Sequence, residues 1–192
     1  MWLLFLLLAA QTLAPATALP RVVVETEMGE IEIEVDTIRA PATAANFLKY
    51  VDAGLYDGGR FHRTVTPDNQ PDDEFKIEVI QAGGNGARFR EFPPRIPLER
   101  TSVTKLAHVD GAVSMARGAP DTARDGFFIC IGDQPELDFG GRRNKDGQGF
   151  AAFGRVVRGM DVVKKIQRAP AEGQSLRPPV RIVRVRRVSA TG

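Results

Sequence analysis

The period of the apolar positions changes several times along the chain. Val22-Val23-Val24 and Glu30-Ile31-Glu32-Ile33-Glu34-Val35 flank Met28-Gly29. The second run alternates strictly. In a strand this puts Ile31, Ile33 and Val35 on one face and three glutamates on the other, so the pair predicts a hairpin with a solvated acidic face. From Pro41 the period lengthens. Ala44, Phe47, Leu48 and Val51 make one helical stripe, Pro41 suits the first turn and Gly54 supplies the stop. Tyr56-Asp57-Gly58-Gly59 is a turn into a strand at Phe61–Val65. Thr66 to Glu74 is polar and turn-rich and reads as a surface loop, after which Phe75 to Ile80 resumes a strand. Arg90 to Pro97 reads as extended. Further strands fall at Ala112–Ala116, Phe127–Ile131, Phe150–Val157 and Pro178–Val188. A long loop runs from Gly132 to Gly149. A short helix begins near Gly159 with Val162, Val163 and Ile166 on one side. No repeat and no internal boundary interrupts this order, which predicts one domain.

Composition narrows the partners. With 26 basic and 24 acidic side chains in 192 residues the net charge is +2, too balanced to make nucleic acid the main partner. Trp2 to Ala10 is an unbroken apolar run, too short to span a bilayer comfortably. With Ala16-Thr17-Ala18 behind it, residues 1–18 read as a secretory signal peptide and 19–192 as the mature domain. The expectation is an exported protein, periplasmic or secreted, with no stable membrane insertion after cleavage. The single cysteine, Cys130, lies in Phe127-Phe128-Ile129-Cys130-Ile131. It has no partner for an internal disulfide and reads as a small buried hydrophobe.

Arg63 is the first candidate for chemistry, because an arginine between Phe61-His62 and Thr64-Val65 sits on a strand among core neighbours. The rival motifs are weaker. Ser102-Val103-Thr104-Lys105 has the Ser-x-x-Lys spacing of an acyl-transfer site but lacks its Lys-Thr-Gly companion. Gly83-Gly84-Asn85-Gly86 lacks the lysine of a phosphate loop. Asn144-Lys145-Asp146-Gly147 lacks the regular oxygen ligands of a calcium loop. The reading includes no metal and no cofactor.

Six short motifs occur in order: FHR (Phe61–Arg63), QAGG (Gln81–Gly84), SMAR (Ser114–Arg117), FFI (Phe127–Ile129), LD (Leu137-Asp138) and FGRVVRGMDVV (Phe153–Val163). Together they resemble the cyclophilins over nearly all of the chain after the leader. The resemblance implies a mainly β fold, a closed eight-stranded antiparallel barrel capped by two α-helices. It implies a monomeric peptidyl-prolyl cis-trans isomerase acting on X-Pro peptides or unfolded clients. A catalytically weak peptide-binding module is the alternative. By resemblance Arg63 is the catalytic residue. The implied substrate contacts are Phe61, His62, Gln81, Met115, Ala116, Arg117, Phe128, Leu137 and Phe150. Of these His62 reads as a core histidine, and Ala116 as a backbone contact. Departures from the family pattern cluster near the pocket: Glu78 and Val79 replace Phe-Met, Arg117 an Asn, Gly126 a Gln, Glu136 a Trp, and Phe150 a pocket His.

Overall fold

A computed structural model describes residues 18–89 and 94–189. The expected signal peptide falls almost wholly outside them. Among the described residues nine strands form: β1 (Arg21–Thr26), β2 (Gly29–Val35), β3 (Arg60–Val65), β4 (Val79–Gly83), β5 (Ala112–Met115), β6 (Phe127–Cys130), β7 (Ala151–Arg158), β8 (Ala171–Glu172) and β9 (Ser175–Arg187). The sheet order is β1-β2-β7-β5-β6-β4-β3-β9, and β9 pairs back onto β1. Eight antiparallel strands thus close into a barrel, and two-residue β8 is a hairpin arm on β9. Closure leaves none of these eight strands as an open edge.

The predicted hairpin is β1–β2, with Thr26 opposite Gly29 and with Ile31, Ile33 and Val35 fully buried. The helices are α1 (Pro41–Asp52), the one-turn α2 (Thr101–Thr104) and α3 (Met160–Gln167). The two longer ones match the predicted stripes; α2 overlaps the Ser-x-x-Lys motif and was not foreseen. Residue Ala40 offers α1 no side-chain cap. Glu99 supplies one from 57 residues downstream, its carboxylate accepting from the Ala42 and Thr43 amides at 3.1 and 2.7 Å. Phe47 carries α1 into the barrel, 4.9 Å from the Phe153 ring and 5.5 Å from Phe127.

Alternation splits the apolar side chains into two clusters on opposite faces of the sheet. Ile80, Ala82, Val113, Met115, Phe127 and Ile129 fill the barrel. Val65, Val79, Ala112, Phe128, Cys130 and Leu137 form a smaller outer cluster. Cys130 is fully buried there, and burial pushes its thiol far up, so it is no nucleophile.

The acidic face predicted for the first hairpin carries a ladder of ion pairs. β1 and β9 are neighbours, and Arg186 lies 2.6 Å from Glu25 and 3.7 Å from Glu30. Glu32 and Glu34, however, are met by Arg21, Arg155 and Arg158. The register explains this: β2 lies between β1 and β7 and does not touch β9. The strand predicted from Phe75 begins only at Val79. Gln70 holds the preceding loop shut by donating to the Thr66 and Ile77 carbonyls at 2.7 and 2.8 Å.

Candidate active site

One row of cross-strand partners organises the outer face. Arg63 on β3 faces Gln81 on β4, Gln81 faces Phe128 on β6, and Phe128 faces Ser114 on β5. A β-bulge makes this possible. Between Phe61 and Arg63 the β3 strand advances two residues while β4 advances one, from Ala82 to Gln81. Phe61 therefore shares the inner face with Ala82, and Arg63 is turned outward beside Gln81.

The Arg63 guanidinium is held on two sides. Nη1 donates to Gln81 Oε1 at 3.0 Å. Nε and Nη2 donate to Gln174 Oε1 at 2.9 and 2.6 Å. Gln174 lies in the Gly173-Gln174 turn between β8 and β9. Its carbonyl accepts from the Thr64 amide at 2.9 Å and its amide donates to Asn69 O at 3.1 Å. Two guanidinium N–H groups, one on each terminal nitrogen, have no protein acceptor among the described residues. Burial, and secondarily the nearby Arg143, lower the Arg63 pKa, but an arginine starts high enough to stay charged at neutral pH.

Around Arg63 opens a groove of about 300 Å³. Its apolar wall is Ile77, Val79, Ala116, Phe128, Leu137 and Phe150; Arg63, Gln81, Arg117, Arg143 and Asn144 supply the polar part. Phe128 and Phe150 meet edge to face, 5.3 Å between centroids. Larger hollows lie along α1 and beside Leu19, but neither brings such donors against an aromatic wall.

Of the residues expected at the substrate, Arg63, Gln81, Ala116, Arg117, Phe128, Leu137 and Phe150 meet around this groove. Three do not. The Phe61 and Met115 side chains sit inside the barrel, essentially unexposed, because the bulge and the pleat turn them to the inner face. His62 is the bulged residue. It is exposed rather than a core histidine, and its partial burial, largest among several influences, lowers its pKa. Arg117 lines the groove yet has nothing left to offer a ligand. Its five N–H groups go to Gly149 O (twice), Gly118 O and both oxygens of Asp146, and its guanidinium lies 5.1 Å from the Phe150 ring centre. It fixes the wall. Gly149 (φ +65°) is required at that corner, since a Cβ there would come within 2.5 Å of the Asp138 carbonyl carbon. The Ala116 amide is bound to Gly126 O at 2.8 Å.

Sequence reasoning missed Gln174, Arg143 and His108. His108 lies under Phe128, ring on ring at 5.9 Å and 14°. Its Nδ1 is 2.7 Å from Asp138 Oδ1 and its Nε2 is 2.9 Å from Ser114 Oγ. The order Asp-His-Ser invites a hydrolase reading, but Ser114 has no exposed surface and Phe128 covers the relay, so no acyl group reaches it. Lys105 Nζ donates to the Ser102 carbonyl at 2.6 Å, away from this groove. Among the described residues no three His, Cys, Asp or Glu side chains converge as metal ligands. Glu78 and Glu136 do not line the groove. Glu78 accepts from Gln167 at 2.8 Å, and Glu136 is pinned by Arg142, whose hydrogen bonds lower its pKa.

The chain is similar to known proteins over most of its length. Residues 21–187 match the family described as cyclophilin type peptidyl-prolyl cis-trans isomerase/CLD. A peptidyl-prolyl cis-trans isomerase of Acinetobacter baylyi is 34% identical over 178 residues, covering 90% of this chain and 87% of that protein. Peptidyl-prolyl cis-trans isomerase B of Escherichia coli is 34% identical over 143 residues, 74% and 80% of the two chains. The crystal structure of a Cryptosporidium parvum cyclophilin-type isomerase superposes with a TM-score of 0.71 at 19% identity, over 89% of this chain and 98% of that one. A second structure of it was obtained in the presence of the dipeptide Ala-Pro, with a TM-score of 0.70 over 88% and 99% of the two chains.

Proposed function

We infer the function from one premise: the chain belongs to the cyclophilin-type peptidyl-prolyl cis-trans isomerase family. It is a peptidyl-prolyl cis-trans isomerase. The X-Pro amide rotates over a barrier of about 18–20 kcal/mol because the nitrogen lone pair is shared with the carbonyl. Uncatalysed exchange takes about tens to hundreds of seconds. No nucleophile is needed. A catalyst must bind the twisted amide better than either planar isomer. In the twisted state the nitrogen regains its lone pair and accepts a hydrogen bond, which a fixed cationic donor supplies selectively.

The observation that carries this reading is Arg63 clamped between Gln81 and Gln174, two N–H groups unassigned, beside an apolar wall. Its protein partners are neutral amides, so no bound carboxylate quenches its charge. Phe128, Leu137 and Phe150 hold the proline ring while the acyl side turns. The Ala-Pro dipeptide used with the Cryptosporidium parvum relative fits the same class of ligand. Glu78 and Glu136, two of the departures from the family pattern, do not line the groove and are engaged by Gln167 and Arg142 instead. Exchange NMR on an Ala-Pro peptide tests the activity: cross-peaks between cis and trans forms grow with added protein, and unchanged exchange on every X-Pro peptide refutes it.

Export is a further part of the proposal, supported by the apolar run and the Ala16-Thr17-Ala18 site. The enzyme then serves folding clients outside the cytoplasm. Among the described residues no helix is long and apolar enough to cross a membrane. N-terminal sequencing of fractionated protein is expected to start near Leu19; an intact Met1 on cytoplasmic material refutes export. A monomer is proposed because the closed barrel offers no open edge among its eight strands to a second copy.

A further inference from the structure

The long Gly132–Gly149 loop brings a second cation to the groove. Arg143 lines it, with a side chain only 11% exposed. Its Nη1 is held from outside, 2.9 Å from the Phe75 carbonyl and 3.0 Å from Asp73 Oδ2. Nε and Nη2 have no acceptor among the described residues, and neither is sealed from solvent. That edge is the planar fork that takes a carboxylate side-on.

The charge around the groove is unbalanced. Asp146 neutralises Arg117. Arg63 has only glutamines as hydrogen-bond partners among the described residues. Among the described residues Asp73, 44% exposed, is the carboxylate set against both Arg63 and Arg143. Two cations in a concave, partly desolvated site attract an anion more strongly than the same charges on an open surface.

Resting on the isomerase reading, we propose that Arg143 makes this enzyme prefer X-Pro segments with a carboxylate within about one residue of the proline. The carboxylate docks on the Nε–Nη2 edge of Arg143 while Arg63 serves the turning amide. Asp73 weakens the preference by partly neutralising the same guanidinium. The glutamates of unfolded acidic segments are the ligand chemistry this predicts.

The test is exchange NMR with peptide pairs differing only by Glu or Gln, placed before or after the proline. At low salt at least one Glu peptide is expected to show about three- to tenfold higher kcat/KM than its Gln twin. The ratio is expected to shrink in high salt. Arg143→Gln should bring it to about one, and Asp73→Asn should raise it, so the two variants move it in opposite directions. If both peptides are accelerated equally by wild type, the acidic preference is wrong and the isomerase reading stands. Equal losses on both peptides in Arg143→Gln assign Arg143 to the peptide backbone instead and also overturn it. If neither peptide is turned over, the isomerase reading fails. Titration calorimetry on the same pairs then still reads the preference, and equal affinities refute it.

Discussion

Gln174→Ala isolates how much the fixed orientation of Arg63 matters. The substitution removes the acceptor for two guanidinium N–H groups, at 2.9 and 2.6 Å, and the link to Asn69 O at 3.1 Å. It leaves the Gln81 contact and the charge in place. A hydrogen bond to a charged group contributes about 1.5–3 kcal/mol when it is well shielded. Gln174 and Arg63 are only partly buried, so the stability loss is expected below that range, about 1 kcal/mol. Catalysis should suffer more. With Nε and Nη2 released, the side chain pivots on one bond at Nη1, and a misplacement of about 1 Å can cost about 10²-fold. The expected result is a fall in kcat of about ten- to a hundredfold with KM changed far less, and far-UV circular dichroism unchanged. Gln174→Glu separates orientation from charge. It keeps an acceptor at the same reach but pairs Arg63 with a carboxylate, so it should restore geometry while weakening the donor's pull on the amide nitrogen. If Gln174→Ala turns over an X-Pro peptide as fast as wild type, the turn between β8 and β9 does not position Arg63.

Other expectations follow from the groove wall. Phe128→Ala should destabilise the fold by about 3–5 kcal/mol in urea unfolding and raise KM, because this ring is both core and pocket. Asp146→Asn should loosen the wall that Arg117 holds and raise KM without touching Arg63. Hydrogen bonding to Arg117 is the leading cause of the lowered Asp146 pKa, so its stabilising effect is fully present above about pH 3.9 and lost as pH falls through the folded value. Acid titration should show that loss in wild type and not in Asp146→Asn. Cyclosporin should bind weakly by titration calorimetry, since Glu136 stands where the family commonly has a tryptophan and is tied to Arg142; an affinity typical of the family contradicts this.

The sequence read well where chemistry sits inside a periodic run. Arg63, Gln81 and Phe128 lie on strands whose apolar neighbours mark them, and the pairing of those strands brings them into one row. It read poorly where a single residue changes the phase. One bulged residue, His62, decides that Phe61 faces the barrel and Arg63 the groove, and nothing in Phe-His-Arg-Thr-Val announces a bulge. Met115 and Ala116 were assigned together although the pleat sends consecutive side chains to opposite faces. That signal was available. Gln174 was not visible, because it is 111 residues from Arg63 in a polar turn and only barrel closure makes them touch. Arg117 was implied as a substrate contact by resemblance, and nothing in the sequence showed that Asp146 and Gly149 occupy it, because they lie in a loop with no period of its own.

The central claim is that a fixed cationic donor, and no nucleophile or metal, lowers the barrier to X-Pro rotation. Cis–trans exchange rates of one Ala-Pro peptide with wild type, Arg63→Lys and Arg63→Ala test it most directly, each variant first shown to be folded. Wild type is expected to accelerate exchange. Arg63→Ala should lose about 10²–10³ of kcat and of kcat/KM together, with peptide affinity changed less. Arg63→Lys should recover only part, because an ammonium on a flexible stem cannot engage Gln81, Gln174 and the amide at once. An Arg63→Ala protein that is folded and as fast as wild type contradicts the account.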